Sequence, residues 1–148
     1  MKNIFNFKKY FRLKGKNIIG RLELINIPSL DIFNVQAKID TGAYRGTIHA
    51  MNFKEEEING ARVLCFDTEF NGKVKSHRVN EFSKVKVKSS QSSYGLRYLI
   101  PVRVELLGVV IDAKMTLSNR SDARYPVLIG RKILKNNFLV DVNGFNKI

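Results

Sequence analysis

Two Asn-Gly pairs, Asn59-Gly60 and Asn71-Gly72, stand at either end of the run Ala61 to Phe70. Asn-Gly is a strong signal for a two-residue hairpin, because both central residues of that turn need positive φ. Three strands are therefore expected in a meander: Lys54–Ile58, Ala61–Phe70 and Lys73–Val79. The same period of two recurs on both sides of it. Arg21 to Ile27 alternates like a half-buried strand and is stopped by Pro28. Phe33 to Asp40 reads as the next strand, and Thr47 to Met51 as a short returning one. Lys84-Val85-Lys86-Val87-Lys88 alternates strictly, with one apolar and one lysine face. A polar tip, Ser89 to Gly95, precedes a strand over Leu96 to Leu107, in which Pro101 predicts an edge or a bulge. Gly108 marks a turn, Val109 to Leu117 a further strand, and Ser118 to Tyr125 a polar loop.

The C-terminal part changes character. Pro126-Val127-Leu128-Ile129 is short and wholly apolar, and Gly130 stops it. Arg131 to Asn136 suits about two turns of helix, and Phe138 to Val142 closes as a strand. No repeat or linker divides the chain. The pattern predicts one compact all-β, barrel-like domain over residues 19–148 with one short C-terminal helix. A basic, aromatic tail over residues 1–18 precedes it, where Ile4, Phe7 and Phe11 can share one face of a short helix.

At 148 residues the chain can bury a core without disulfides or metal. Its single cysteine, Cys65, lies in the apolar run Val63 to Phe66 and reads as a small buried hydrophobe. A reducing, cytoplasmic location fits that usage. No apolar run reaches the length of a bilayer span, and the tail lacks the features of a secretory signal. The formal net charge is +13, which implies affinity for polyanions: nucleic acid, anionic lipid or acidic polypeptide.

Chemistry concentrates in Lys38-Ile39-Asp40-Thr41-Gly42-Ala43. A strand delivers an aspartate to its C-terminal end, and a tight Gly-containing turn follows. Backbone N–H groups can hold such a carboxylate from below while it faces open space, although Asp and Gly are also ordinary turn residues. The apolar strand Val127-Leu128-Ile129-Gly130, followed by Arg131 and a helix, is its companion. Together these resemble the retropepsin-like aspartic peptidases, in which an Asp-Thr-Gly loop is crossed later by a hydrophobic strand ending in glycine. The wider pattern adds Ile48-His49-Ala50, Leu117 to Asp122, and Tyr125 to Arg131. It resembles a bacterial group of that family often labelled "ATP-dependent zinc protease", from about Ile19 to Val142.

The resemblance implies a retropepsin-like closed barrel and a catalytic Asp40, Thr41 and Gly42. Two carboxylates sharing one proton would activate water and polarise the scissile carbonyl. The chain has a single Asp-Thr-Gly, so the second carboxylate is expected from a homodimer, with Thr41 bracing the loops across the two-fold axis. Asp67 and Asp141 lack the following glycine and read as strand or strand-end residues. Where the family usually has hydroxyl residues after the motif, this chain has Tyr44-Arg45-Gly46-Thr47. Gly46 cannot brace the loop through a side chain, and Thr47 is the available substitute.

A hairpin flap covers the site in such enzymes. Lys84 to Ile100 is the expected flap, with Asn71-Gly72 as a rival tip. Lys86, Lys88 and Arg97 would then line the cleft with Ala43 and favour an acidic peptide or protein substrate. The family's association with glutamate-adding ligases of the ATP-grasp type points to glutamate-rich tails. Nothing in the chain matches a phosphate-binding loop or a His-Glu-x-x-His metal motif, so no cofactor or metal is expected. His49 reads as structural and His77 as a surface residue. Two rival readings are a basic β-domain binding RNA or the ribosome and a non-catalytic relative that binds peptide by strand addition.

Overall fold

The computed structural model describes residues 17–88 and 94–144. The proposed helix at Ile4, Phe7 and Phe11 and most of the polar tip after Lys88 lie outside the described residues. Twelve strands are formed among the described residues: β1 (Asn17–Ile19), β2 (Leu22–Ile27), β3 (Ile32–Ile39), β4 (Thr47–His49), β5 (Met51–Ile58), β6 (Ala61–Phe70), β7 (Lys73–Val79), β8 (Ser83–Lys88), β9 (Tyr94–Leu106), β10 (Val109–Ser118), β11 (Val127–Ile129) and β12 (Phe138–Val140). One short helix, α1 (Arg131–Leu134), follows β11.

Six strands close on themselves in the order β10-β4-β11-β3-β2-β9, because β9 also pairs antiparallel with β10. Closure removes the exposed edges that an open sheet of this size would present. β8 extends the sheet from β9, while β5, β6 and β7 form a separate meander. Asn59-Gly60 and Asn71-Gly72 make the turns of that meander with positive φ at both positions, and Leu107-Gly108 does the same between β9 and β10. Pro101 is paired with β10 at Lys114. On the other side of β9, pairing to β8 stops at Leu99 and pairing to β2 involves Glu105 and Leu106, so Pro101 faces a gap where no N–H is required.

The core is built from inward positions of nearly every strand, including Ile25, Ile27, Ala37, Ile48, Phe66, Ile100, Val104, Met115, Leu117 and Ile129. Glu23 shares the inward face of β2 with Ile25 and Ile27 and is fully buried. Its Oε1 accepts the Gly20 N–H at 2.7 Å, and Oε2 has no partner among the described residues.

Several local expectations change in the folded chain. Thr47 to Met51 is two strands rather than one. At Ala50, whose N–H donates to the Ser118 carbonyl, the chain leaves the barrel and enters the meander. The helix ends at Leu134 because Lys135 is extended and Asn136 takes a left-handed φ of 68°, which asparagine tolerates well. β12 stops at Val140, since Asp141 turns the chain by accepting the Asn143 N–H. Cys65 is half-buried on the outer face of β6, because the inward face takes Leu64 and Phe66.

His77 is half-buried rather than a surface residue. Its ring lies 5.2 Å from that of Phe66, and Nε2 is 2.8 Å from the Thr68 hydroxyl. Desolvation lowers its pKa, outweighing the attraction of Asp67. A lowered folded pKa disfavours protonation in the native state. The stability gained is therefore complete above the unfolded value, about 6.5, and is lost as pH falls through the lower folded value. Chemical denaturation between pH 7 and pH 5 should show stability falling with pH, and His77→Gln should flatten that slope.

Candidate active site

β11 inserts between β3 and β4, parallel to the first and antiparallel to the second. This threading passes the Gly130 backbone beneath the loop that connects Asp40 to Thr47. The Asp40 N–H donates to the Ile129 carbonyl at 2.9 Å, and the Ala43 N–H donates to the Asp40 carbonyl at 3.2 Å. The Gly42 N–H donates to Asp40 Oδ1 at 3.0 Å. From the helix side, the Arg131 N–H donates to the Ala43 carbonyl at 2.8 Å and the Lys132 N–H to the Tyr44 carbonyl at 3.1 Å. Arg131 Nη1 reaches the Thr41 carbonyl at 3.0 Å. The loop is thus held by backbone groups on both sides, and the Asp40 carboxylate stands half-buried at its rim.

Two glycines make that threading possible. A Cβ on Gly130 would lie 2.6 Å from both the carbonyl carbon and the oxygen of Arg45, and 2.9 Å from the Ala43 oxygen. A Cβ on Gly42 would press on Asp40 Oδ1 at 3.3 Å. Thr41 is exposed and offers its side chain outward. The exposed Tyr44 ring carries three cations within 6 Å: Arg45 at 5.2 Å, Lys132 at 5.3 Å and Arg131 at 5.9 Å.

A cleft of about 750 Å³ opens beside Asp40, lined by the loop, Thr47, Thr116 and the β8–β9 hairpin. Lys86, Lys88 and Arg97 line it together with Ala43, so the residues singled out in the sequence converge on one space. Both main-chain groups of Ala43 are engaged, the N–H with the Asp40 carbonyl and the carbonyl with the Arg131 N–H of the helix. Asn71-Gly72 is elsewhere: Asn71 lines a smaller cavity with Asp31 and Lys75. The base of the β8–β9 hairpin is tied to the meander through Glu55. That carboxylate accepts hydrogen bonds from Arg62 at 2.6 Å and Tyr98 at 3.2 Å and pairs with Lys84 at 3.1 Å.

A second cleft, about 540 Å³, lies against the same carboxylate and is lined by Arg21, Lys38, Arg120, Arg124 and Tyr125. Asp40, Arg120 and Leu128 belong to both. Among the described lining residues of the two clefts, Asp40 is the one acid and the remaining charges are cations. Arg120 and the second cleft are absent from the sequence-based site. Arg120 lies in the stretch Leu117 to Asp122 that carries part of the resemblance, but nothing local indicates that the stretch folds back over Asp40.

Residues 18–145 match the model of the RimB-like family, described as retropepsin-like aspartic endopeptidase RimB. The chain belongs to this family. It is 31% identical over 131 residues to a probable alpha-L-glutamate ligase of Shewanella halifaxensis, covering 86% of this chain and 29% of that protein. A probable alpha-L-glutamate ligase of Parasynechococcus marenigrum is 26% identical over 137 residues, with 90% and 29% covered. The chain therefore spans less than a third of the length of these relatives. A crystal structure of a Legionella pneumophila protein of unknown function superposes with a TM-score of 0.74 at 27% identity, covering 88% of this chain and 97% of that one.

The packing around Gly46 in this chain accounts for the departure there. A Cβ there would lie 2.6 Å from Met115 Cε and 2.7 Å from the Leu128 carbonyl oxygen, so no side chain fits. Hydroxyls reach the loop from elsewhere: Thr116 Oγ1 donates to the Gly46 carbonyl at 3.2 Å, and Thr47 Oγ1 is 2.8 Å from Thr116 Oγ1. Introducing the hydroxyl directly, by Gly46→Ser, should destabilise the chain by roughly 1–3 kcal/mol through overpacking, read as a lower midpoint in chemical denaturation.

The zinc in the bacterial group's label does not fit these residues. His49 is buried, and its Nδ1 accepts the Arg120 backbone N–H at 2.9 Å. His77 is engaged with Thr68 on another sheet. No group of three or more His, Cys, Asp or Glu among the described residues is arranged to hold a metal ion. Among the same residues, no helix is long and apolar enough to cross a membrane.

Proposed function

We propose that the chain is an aspartic endopeptidase that works as a homodimer on acidic, glutamate-rich peptides or protein tails. The observation that carries the reading is the isolation of Asp40. One carboxylate, oriented by the Gly42 N–H, stands at the junction of two clefts whose other charges are positive. An acid-catalysed attack of water on a peptide needs a second carboxylate to share the proton, and neither cleft supplies one. A second copy of the chain, presenting its own Asp40 across a two-fold axis, completes the pair. The outward-facing Thr41 and the cation-ringed Tyr44 lie on the same loop and belong to that face.

In the single site shared by the two copies, one Asp40 carboxylate takes a proton from the attacking water while the protonated partner donates to the carbonyl oxygen. The β8–β9 hairpin acts as the lid, and its lysines neutralise the acidic side chains of an extended peptide. The relatives' names support the substrate class. A ligase that adds α-linked glutamate makes ordinary peptide bonds flanked by carboxylates, which suits a cleft lined with cations.

The reading is tested by incubating the purified chain with an α-linked oligoglutamate peptide and analysing the products by mass spectrometry. Fragments are expected with the wild type and none with Asp40→Asn. Cleavage by Asp40→Asn at the wild-type rate would overturn it. Salt-sensitive RNA binding without any peptide cleavage would instead favour the nucleic-acid reading of the charge.

A further inference from the structure

We propose that Arg120 and Arg97 form a carboxylate clamp beside Asp40 that reads an acidic side chain next to the scissile bond. The inference rests on the peptidase reading and assigns its specificity to two residues separated widely in the chain. Arg97 projects from β9 and Arg120 from the loop after β10, and both line the cleft that holds Asp40.

Arg120 is anchored twice. Its backbone N–H donates to His49 Nδ1 at 2.9 Å, and its Nε donates to the Tyr125 carbonyl at 2.9 Å. The Nε bond fixes the plane of the guanidinium and leaves both Nη groups without a protein partner among the described residues. The group interacts electrostatically with Asp40 but makes no ion pair with it. An arginine locked onto that carboxylate would hold it out of the reaction. An arginine held back by Tyr125 leaves space for a third group.

Arg97 is half-buried, and its side chain makes no hydrogen bond or ion pair with the described residues. This differs from Arg103, whose Nε and Nη2 donate to Asp112 at 2.9 and 3.3 Å. Desolvation lowers the pKa of both Arg97 and Arg120, and Arg97 repels Arg120 further. Two partly desolvated guanidinium groups facing one space, with Asp40 as the one acid among its lining residues, are only partly compensated in the free protein. Such excess positive charge in a cleft suits an anionic ligand. A single carboxylate bridging the two forks relieves the repulsion and can accept two N–H bonds from each planar group. Because Arg120 also borders the second cleft, the bound side chain lies at the point where a peptide passes Asp40.

Binding is separated from cleavage by using the full chain with Asp40→Asn. Fluorescence anisotropy at fixed salt would compare an oligoglutamate peptide with its oligoglutamine counterpart. Adding Arg120→Gln is expected to weaken the glutamate peptide by roughly 10- to 100-fold, as for lost charge-assisted hydrogen bonds, and to change the glutamine peptide less than about twofold. Arg97→Gln, which has no protein hydrogen bond to lose, should act in the same direction. Retention of the full glutamate preference in both variants would overturn the clamp, as would equal losses for the two peptides. If Asp40→Asn binds with this arginine-dependent preference while the wild type cuts nothing, the clamp stands and the peptidase reading fails. If the wild type cuts and Arg120→Gln keeps its preference for glutamate, the peptidase reading stands and the clamp fails.

Discussion

Asp40→Asn is expected to lower peptide cleavage by on the order of 10³-fold or more, the scale set by loss of an essential acid–base group. The substitution is nearly isosteric. Its side-chain oxygen can still accept the Gly42 N–H that now meets Oδ1 at 3.0 Å, so the loop geometry should survive. Circular dichroism and the thermal midpoint should therefore match the wild type while product formation disappears. Dimerisation supplies a second readout. If two Asp40 carboxylates meet at a two-fold axis and share one proton, two neutral amides can occupy the same place without like-charge repulsion. Sedimentation velocity should then show that Asp40→Asn still forms the dimer. A wild type that cuts peptide while it stays monomeric at the assay concentration would contradict a facing pair.

The largest structural effect is expected at Gly130. Alanine there drives a Cβ to 2.6 Å from the Arg45 backbone, and backbone cannot rotate away as a flexible side chain can. The loss should fall at the upper end of the roughly 1–3 kcal/mol typical of overpacking. For a domain of this size, about 3 kcal/mol corresponds to a midpoint lowered by roughly 6–12 °C. Cleavage should fall with it, since the displaced segment carries Ala43, Tyr44 and Arg45 and adjoins the Asp40 turn. Gly95→Ala is the matched control, because among the described residues no atom lies within 4 Å of a Cβ placed there. Its midpoint should stay within the scatter of an ordinary surface substitution, about 0.5 kcal/mol. Equal losses at the two sites would mean that the threading beneath the loop is not what Gly130 provides.

The contrast between Gly130 and Gly46 shows how far local reading reaches. Gly130 was legible as the end of an apolar strand beside a helix, because a motif of that form follows an Asp-Thr-Gly loop in retropepsin-like chains. Gly46 was legible only as a missing hydroxyl. The packing that forbids a side chain there comes from Met115 and the Leu128 carbonyl. Both lie far along the chain: Leu128 reaches Gly46 when β11 slots between β3 and β4, and Met115 when β10 pairs with β4. The substitute hydroxyl on Thr116 belongs to β10, whose parallel pairing with β4 sets Thr116 opposite Thr47. Glu23 follows the same logic. Alternation in β2 marks two faces, but only closure of the barrel decides that Glu23 is on the buried one.

What the sequence determined by itself was local and periodic. Asn-Gly pairs impose positive φ and so impose hairpins, alternating valines and lysines impose a two-faced strand, and Asp40-Thr41-Gly42 imposes a tight turn after β3. These depend on dihedral preference and side-chain period, which act over a few residues. The resemblance already pointed to Lys86, Lys88 and Arg97 through the expected flap, but the tertiary structure alone added Arg120 and the second cleft to the surroundings of Asp40. These cations come from a hairpin stem and a distant loop, and strand register rather than any neighbouring residue brings them together. Charge acts through space, so the electrostatics of the site exist only after the barrel has closed.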